Sequence, residues 1–445
     1  MNRLKLLLLA VLVVPTALWL LADSLWPQLF SYFSFRDVAI QYTGCVAIAA
    51  MSIGLLLALR PRWLEPHLDG LDKMYRLHKW LGISALVFSV LHWWLAQGTM
   101  WMTGWGWIAR PARGPRGAAP QLAGIEAWLH TQRGLAETLG QYAFYLAALL
   151  ILLALIKRFP YHLFAKTHTL LAPIYLVLAY HTLVLARFAY WRQPIGWLLV
   201  VLLATGGFAA CVALVGRIGR GRQVRGTLET VQHYPGLDVV ATRIALEEGW
   251  PGHAPGQFAF VCSDRREGAH PYSIASHWDP RDRHIAFIAK ALGDHTGRLR
   301  HALKPGITVV VEGPYGCFDF EDGRPRQIWI GAGIGITPFI GRMKQLATEP
   351  HSNRIALFHP SSVREDAAIA QLTADAQAAG VELHLLVDAQ DGRLDGDRIR
   401  AAVPDWREAS LWFCGPPAFG ESLRADFIAH GLPPARFHQE LFQMR

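Results

Sequence analysis

Charge is scarce in this chain. Only 17% of its 445 residues are Asp, Glu, Lys or Arg, against about 25% in an ordinary soluble protein. With 52% hydrophobic residues and a positive mean hydropathy, the chain has too few charges for a wholly water-exposed surface. Cysteine is scarce as well. Cys45, Cys211, Cys262, Cys317 and Cys414 include no CxxC pair, which argues against a zinc ribbon or a disulfide framework. The net charge of +9, with a pI near 9.4, is not gathered into one long Lys/Arg run. Many of these cations flank apolar segments, where they would meet anionic lipid headgroups. A lipid bilayer is therefore an expected partner and nucleic acid is not.

The missing charge is concentrated in one half. Charged residues are sparse from Met1 to Val215 and common after Arg217, which predicts a membrane half followed by a soluble half. Six apolar stretches, Leu4–Leu21, Val38–Leu59, Leu77–Gln97, Leu139–Ile156, Thr167–Ala186 and Ile195–Val215, come close to the roughly 20 residues a helix needs to cross about 30 Å of hydrocarbon. The backbone must satisfy itself in lipid, so each is predicted as a helix. No small-residue cleavage site follows the first stretch, so it reads as an uncleaved span. Arg3, Lys5, Arg60, Arg62, Lys73, Arg76, Lys157, Arg158, Lys166 and Arg217 fall on one side of such a bundle. That side is predicted to be cytoplasmic, together with the N-terminus and the soluble half. The third loop, with Arg110, Arg113, Arg116 and Arg133, falls on the other side and disagrees. The 17 Trp crowd around segment ends, as rings at a membrane interface do.

Four histidines lie inside these spans. His78 and His92 have thirteen residues between them on the third, and His168 and His181 have twelve between them on the fifth. Ionisable groups within spans are rare and functional by default, and imidazole is an axial ligand to haem iron. Both spans run the same way, so His78 matches His168 in depth and His92 matches His181. The two levels stand about 20 Å apart at 1.5 Å per residue. Helical phase favours the first pair of positions: fourteen steps return His92 to within about 40° of His78. Thirteen steps leave His181 about 140° from His168, unless Pro173 between them kinks the helix. Histidines that merely hydrogen-bond between helices are the competing explanation.

After Gln223, short β-branched segments split by Gly and Pro predict a small antiparallel barrel up to about residue 323. They are Thr227–Val231, Asp238–Ile244, Gln257–Val261, His284–Ile288 and Thr308–Glu312. Two patterns lie within it. HPYSIAS begins with His270, Pro271, Tyr272 and Ser273, which offers an aromatic ring and a hydroxyl on one edge. Lys290 to Thr296 reads KALGDHT, where Gly293 lets backbone approach a pyrophosphate while Lys290 and Thr296 supply charge and a hydroxyl. From Arg326 onward strands alternate with helices, predicting a parallel sheet. The turn GAGIGITP, with Gly331, Gly333, Gly335 and Thr337, sits between strand and helix, the position that cradles a dinucleotide. Its spacing is GxGxG and not the usual GxGxxG. Cys414, Gly415 and Pro416 end the last strand, where Cys414 would approach a nicotinamide, or would simply fill space as a buried thiol. Phe442, close to the end, is an aromatic able to cover a flavin face.

These elements together resemble the ferric reductase and NADPH oxidase superfamily over nearly the whole chain. The resemblance rests on the two spaced histidine pairs, HPYSIAS, KALGDHT, VEGPYG at Val311–Gly316, GAGIGITP, FCGPP at Phe413–Pro417, and the aromatic near the end. It implies an all-α six-helix membrane bundle over residues 1–219 that binds two b-type haems. An FAD-binding antiparallel β-barrel over 220–324 and an α/β Rossmann-like NAD(P)-binding domain over 325–445 would follow. It further implies that His78 and His168 ligate the inner haem and that His92 and His181 ligate the outer one. His270, Pro271, Tyr272, Ser273, Lys290, Gly293 and Thr296 would border FAD. Gly331, Gly333, Gly335, Thr337, Cys414, Gly415 and Pro416 would border NAD(P)H, and Phe442 would cover the flavin where nicotinamide enters, with Cys414 beside it as the other residue at the hydride-transfer site. Two departures stand out. His270 occupies a position that is often Arg, and Ser362 replaces the first Arg of the usual 2′-phosphate segment, leaving Arg364. NADPH is thus only modestly favoured over NADH. No EF-hand loop precedes the membrane half, so calcium control is not expected.

The expected activity is transfer of electrons from cytoplasmic NAD(P)H through FAD and two haems to O₂, across what is expected to be a bacterial inner membrane. Reduction of a ferric chelate or another outer acceptor is the alternative, and a transporter or scaffold with a flavin-binding regulatory domain is an alternative of another class.

Overall fold

A computed structural model describes the chain apart from residues 1, 28–29, 110–121, 157, 265, 350 and 441–445. Contacts divide it into two units: residues 1–64 with 73–218, and residues 65–72 with 219–444.

Among the described residues the first unit is helical, and six stretches are long and apolar enough to cross a membrane. They are built from α1 (Asn2–Ala22), α2 (Tyr32–Ala58), α3 (Leu71–Trp93), α4 (Gly124–Leu155), the pair α5 (Tyr161–Thr169) and α6 (Leu171–Leu185), and α7 (Pro194–Leu214). Large apolar side chains point outward from them, among them Leu6, Leu20, Trp197, Val201 and Phe208, as lipid-facing surface does. The interior is tied by polar contacts that water would otherwise satisfy. Tyr175 and Ser52 share a hydrogen bond of 2.7 Å, and Tyr190 donates to Asp23 at 2.6 Å while Trp19 donates to Tyr190 at 3.2 Å.

Three features depart from the spans expected from hydropathy. α3 begins at Leu71 and α4 at Gly124, well before Leu77 and Leu139. The 32 residues of α4 make a rod of about 48 Å, longer than the hydrocarbon, and its polar first turns carry no hydropathy signal. After α3 the chain enters a π-helical turn, Trp94–Gly98, before the short helix Thr99–Gly104. Arg36 donates to the carbonyls of Leu95 (2.8 Å) and Ala96 (3.2 Å) in that turn. The fifth span is broken at Leu170. Pro173, which lacks an N–H, removes the bond that Thr169 would otherwise accept.

The second unit holds two sheets. β1 (Gln223–Tyr234), β2 (Val239–Leu246), β3 (Phe258–Cys262), β4 (His270–Ser273), β5 (His284–Lys290) and β6 (Thr308–Tyr315) form an antiparallel sheet in the order β4-β3-β6-β1-β2-β5. Its two edges meet through a bridge between Ile274 and Phe287, and Ala275 N–H donates to Ala286 at 2.8 Å. The sheet thus closes on a core of Leu228, Ile244, Ile274, Ile285 and Val311. The segment Glu65–Asp72 belongs to this unit, and the Gly316 N–H donates to the Glu65 carboxylate at 2.7 Å.

The second sheet is parallel, in the order β11-β10-β7-β8-β9. Its strands are β7 (Arg326–Gly331), β8 (Arg354–Ser361), β9 (Glu382–Val387), β10 (Ser410–Cys414) and β11 (Phe437–Gln439). After α8 (Asp294–Ala302), which follows β5, come α9 (Thr337–Leu346), α10 (Asp366–Ala378) and α11 (Pro417–Ala429). α9 and α10 cover one face through Phe339, Met343 and Leu372; α11 covers the other through Leu423 and Phe427. Burial on both faces is why residues 328–330 of β7 and 411–414 of β10 read as continuous apolar runs with no alternation. The short strand β11 was not expected, since three residues give no period to detect.

Candidate functional site

In the first unit the four span histidines come together in two pairs. The rings of His78 and His168 have centroids 5.8 Å apart, and those of His92 and His181 are 6.0 Å apart, with planes at 71° and 78°. The break at Leu170 puts His168 on α5 and His181 on α6, so the phase of a single straight helix no longer applies to them. Two metal–nitrogen bonds of about 2 Å plus two ring radii of about 1 Å place opposed imidazoles on one ion with centroids about 6 Å apart. Both pairs meet that spacing.

The outer contacts of these rings fix their tautomers. Nδ1 of His78 lies 2.8 Å from the Gly54 carbonyl, Nδ1 of His92 is 2.9 Å from that of Ile40, and Nδ1 of His181 is 2.8 Å from that of Ala136. A carbonyl only accepts, so Nδ1 carries the proton and Nε2 keeps its lone pair for a metal. His168 is different. Its Nδ1 has no hydrogen-bond partner among the described residues, and its ring stacks on Phe164 at 5.0 Å. Glycine makes the room: a Cβ on Gly140 would lie 2.0 Å from Nδ1 of His181, and one on Gly44 would lie 3.2 Å from Cε1 of His92. A cavity of about 750 Å³ opens at the His92–His181 level, lined also by Met51, Phe144 and Leu178. Its size lies in the range of cofactor pockets, about 300–1,000 Å³.

In the second unit, β4 carries His270, Pro271, Tyr272 and Ser273 opposite Val261, Phe260, Ala259 and Phe258 of β3. Ser273 is buried and the other three are half-buried. Burial, with His295 beside it, pushes the His270 imidazole down to about 4, and burial pushes the Tyr272 phenol up. Lys290 ends β5 opposite Val239. Gly293 is extended and a Cβ there meets nothing within 4 Å, so the close approach expected of it is not imposed by the protein itself. Thr296 accepts through its hydroxyl from the amides of Leu292 (2.9 Å) and Gly293 (3.1 Å), capping α8.

The glycine-rich turn lies at the carboxyl end of β7, beside the end of β10, where Gly331 pairs with Cys414. This is the edge of a parallel sheet at which ligands bind. Here the close approach is real. A Cβ on Gly335 would stand 2.1 Å from the Cys414 carbonyl oxygen, and Gly333 has φ +56°. The Ala332 N–H donates to that same carbonyl at 2.9 Å. The Thr337 hydroxyl donates to Ile334 at 2.8 Å, closing the turn, and Pro416 precedes α11. Burial, with Glu440 nearby, pushes the Cys414 thiol well up, so it sits as a neutral group. Arg364 is exposed and paired with Asp366 at 2.8 Å. Phe442 lies outside the described residues.

Residues 43–179 match the family model of the ferric reductase like transmembrane component, and residues 224–318 match that of an FAD-binding domain. These two matches, in this order along one chain, have the layout of the ferric reductase and NADPH oxidase superfamily. Among curated relatives, an NADPH oxidoreductase of Mycobacterium tuberculosis is 31% identical over 185 residues, covering 38% of this chain and 48% of its own. The reductase subunit of an aromatic O-demethylase from Amycolatopsis is 32% identical over 162 residues, covering 33% and 47%. The chain spans about half the length of the curated relatives it matches. The flavohaem-like FAD/NAD-binding domain of nitric oxide dioxygenase from Vibrio cholerae is similar over 49% of this chain and 98% of that one, at 20% identity and a TM-score of 0.43.

Within this superfamily frame, several residues of the sites were missed from sequence. Gly44, Gly140 and the carbonyls of Ile40, Gly54 and Ala136 act through backbone position, which no residue type reveals. His359 was passed over too: its Nδ1 sits 2.6 Å from the Gly331 carbonyl, against the glycine-rich turn. A histidine at the end of the strand next to that turn was a signal available in the sequence.

Proposed function

We propose that this chain moves electrons from NAD(P)H, by way of FAD and two b-type haems, across a membrane to an acceptor on the far side, with O₂ the favoured acceptor. The observation that carries the reading is the pair of imidazole pairs, each at the spacing of two ligands on one ion. A bound flavin takes two electrons as hydride and hands them on singly, and bound haems relay single electrons. The chain's own part is to bind and orient. His78 with His168, and His92 with His181, would hold the irons, and the carbonyls of Gly54, Ile40 and Ala136 keep three of the four rings in the ligating tautomer. Tyr272 and Ser273 border the flavin, with His270 and Pro271. Lys290, Gly293 and Thr296 serve its diphosphate.

Gly331, Gly333, Gly335 and Thr337 admit the nucleotide, with Cys414, Gly415 and Pro416 on the opposite side and Arg364 towards a 2′-phosphate. Phe442 would shield the flavin from water. Residues 1–219, 220–324 and 325–445 are the corresponding domains, and the cationic loops support a cytoplasmic soluble half. Reduction of a ferric chelate is the second reading, favoured by the family model matched over residues 43–179. His92 and His181 would together hold the outer haem, which would supply single electrons to either acceptor.

The purified protein should show reduced b-type bands at two haems per flavin. Superoxide release with NADPH and no added metal supports the first reading, and turnover only with ferric chelate supports the second. A protein without haem overturns both and leaves a transporter or scaffold.

A further inference from the structure

Three of the four span histidines are backed by a carbonyl and one is not. Nδ1 of His78, His92 and His181 lies 2.8, 2.9 and 2.8 Å from a backbone carbonyl on another helix: Gly54 and Ile40 on α2, and Ala136 on α4. Ile40 and Ala136 each stand four residues before a glycine, Gly44 and Gly140, on which a Cβ would meet the ring. α4 carries no glycine over residues 141–155, and no such approach is made to His168. There Nδ1 is buried and has no hydrogen-bond partner among the described residues. Phe164, one turn earlier on α5, lies against the ring instead, with centroids 5.0 Å apart and planes at 28°. We propose that Phe164 is the positioning residue of His168, and that His168 is the weakest-held of the four axial ligands.

The inference rests on the electron-transfer reading and deepens it. With Nε2 on a metal, Nδ1 must carry the proton. A buried N–H without an acceptor costs free energy, so ligation is penalised at His168 and at none of the other three rings. A carbonyl behind the ring also raises the basicity of the ligating nitrogen, and outer partners of this kind are worth about 10–100-fold in affinity. Both effects weaken the same ligand. Phe164 offsets part of the loss. Residues four apart share a helix face, and side chains lean towards the N-terminus, so the His168 ring leans back over Phe164. Stacking holds the plane of the imidazole but gives its N–H no acceptor. The His78–His168 level thus has one backed ring and one stacked ring, while the His92–His181 level has two backed rings. Weaker donation stabilises ferric iron less, so the same asymmetry raises the potential at the first level. A tenfold loss confined to the ferric state corresponds to about 59 mV.

The test uses the full-length protein in detergent with its pigments in place and follows transfer of haem to excess apomyoglobin. The unaltered protein should release haem in two phases of equal size, with rates at least about tenfold apart. His92→Ala should keep only the fast phase and His78→Ala only the slow one. Phe164→Leu should speed the fast phase by about threefold or more, the worth of an aromatic contact, and leave the slow phase alone. Phe164→Tyr, which keeps the ring, should behave as the unaltered protein does. A redox titration of the unaltered protein needs no variant to fold and should show two waves. The higher wave should be the one that survives in His92→Ala and the only one that Phe164→Leu moves, upward. Release in a single phase, a slow phase surviving in His92→Ala, or an effect of Phe164→Leu on both levels or on neither would each overturn the proposal. A protein without haem would end this inference and the electron-transfer reading together, whereas two haems that leave in one phase would end this inference alone.

Discussion

In the membrane unit the candidate site is made of side chains, four imidazoles that face one another in pairs. In the nucleotide half of the soluble unit it is made largely of backbone: a glycine turn pressed against the carbonyl end of a neighbouring strand. The difference is physical. A metal needs lone pairs at a fixed distance, which only side chains supply in a helix whose own carbonyls and amides are already spent. A dinucleotide phosphate needs amides and close approach, which a turn at the end of a parallel strand supplies without any special side chain.

The sharpest way to break this contrast is to remove one imidazole. His92→Ala should lower the haem-to-flavin ratio from two to one and cut reduction of the far-side acceptor at least about 100-fold, the upper end of what losing even an outer-shell partner costs. Reduction of a soluble dye that takes electrons from the flavin should be unchanged, as measured by NADPH-driven dye bleaching. A variant that kept both haems would end the axial-ligand reading.

Backbone support comes next in size. Gly140→Ala places a Cβ on top of Nδ1 of His181, whereas a Cβ on Gly54 stands at an ordinary 3.9 Å from Nδ1 of His78. The first should weaken haem retention at the His92–His181 level by about tenfold, and Gly54→Ala should be nearly silent. Haem content after mild detergent extraction separates them. Equal behaviour of the two would mean that space around His181 does not matter.

In the soluble unit the matching test is a pair of glycines. Gly335→Ala must push the turn off the Cys414 carbonyl, while Gly293→Ala meets open space. Gly335→Ala should raise the KM for NAD(P)H at least about tenfold, equivalent to about 1.4 kcal/mol of binding. Haem and flavin content should be retained. Gly293→Ala should shift the KM little, because Gly293 is extended and its structural task is to start α8. Steady-state KM values decide, and an unaltered KM in Gly335→Ala would remove the turn from the nucleotide site.

These contrasts also explain what the sequence made legible. The four histidines stood out because an ionisable residue inside an apolar stretch violates the surrounding pattern, and their matched depth survives any error in where a span begins. Their faces did not follow from 3.6-residue periodicity, because the break at Leu170 changes the phase between His168 and His181. The starts of α3 and α4 were missed for a related reason: a helix that continues beyond the lipid loses its hydropathy signal and keeps its hydrogen bonds. In the soluble half, strands alternate with helices after Arg326 as expected, with α10 between β8 and β9. The closure of the barrel between Ile274 and Phe287 joins residues that no local pattern connects.

The smallest expected effect concerns histidines that burial, more than any charge nearby, keeps neutral. His253 lies between Trp250, whose indole donates to Nδ1 at 3.3 Å, and the Ser276 carbonyl, 3.1 Å from Nε2. Burial pushes it down to about 4 from an ordinary 6.5, and His270 is likewise pushed down to about 4. The unfolded chain therefore binds protons that the folded one refuses between those two values. What these two groups contribute to the folding stability of this unit is full above pH 6.5 and is lost as pH falls towards about 4. The midpoint of thermal flavin release should drop by on the order of 5 °C between pH 7.5 and 5, for a domain of this size. His253→Gln, which cannot titrate, should lower the midpoint at pH 7.5 but flatten its dependence on pH. A slope unchanged in that variant would place the acid sensitivity elsewhere, and haem bands that persist through the same acidification would confine the effect to the soluble unit.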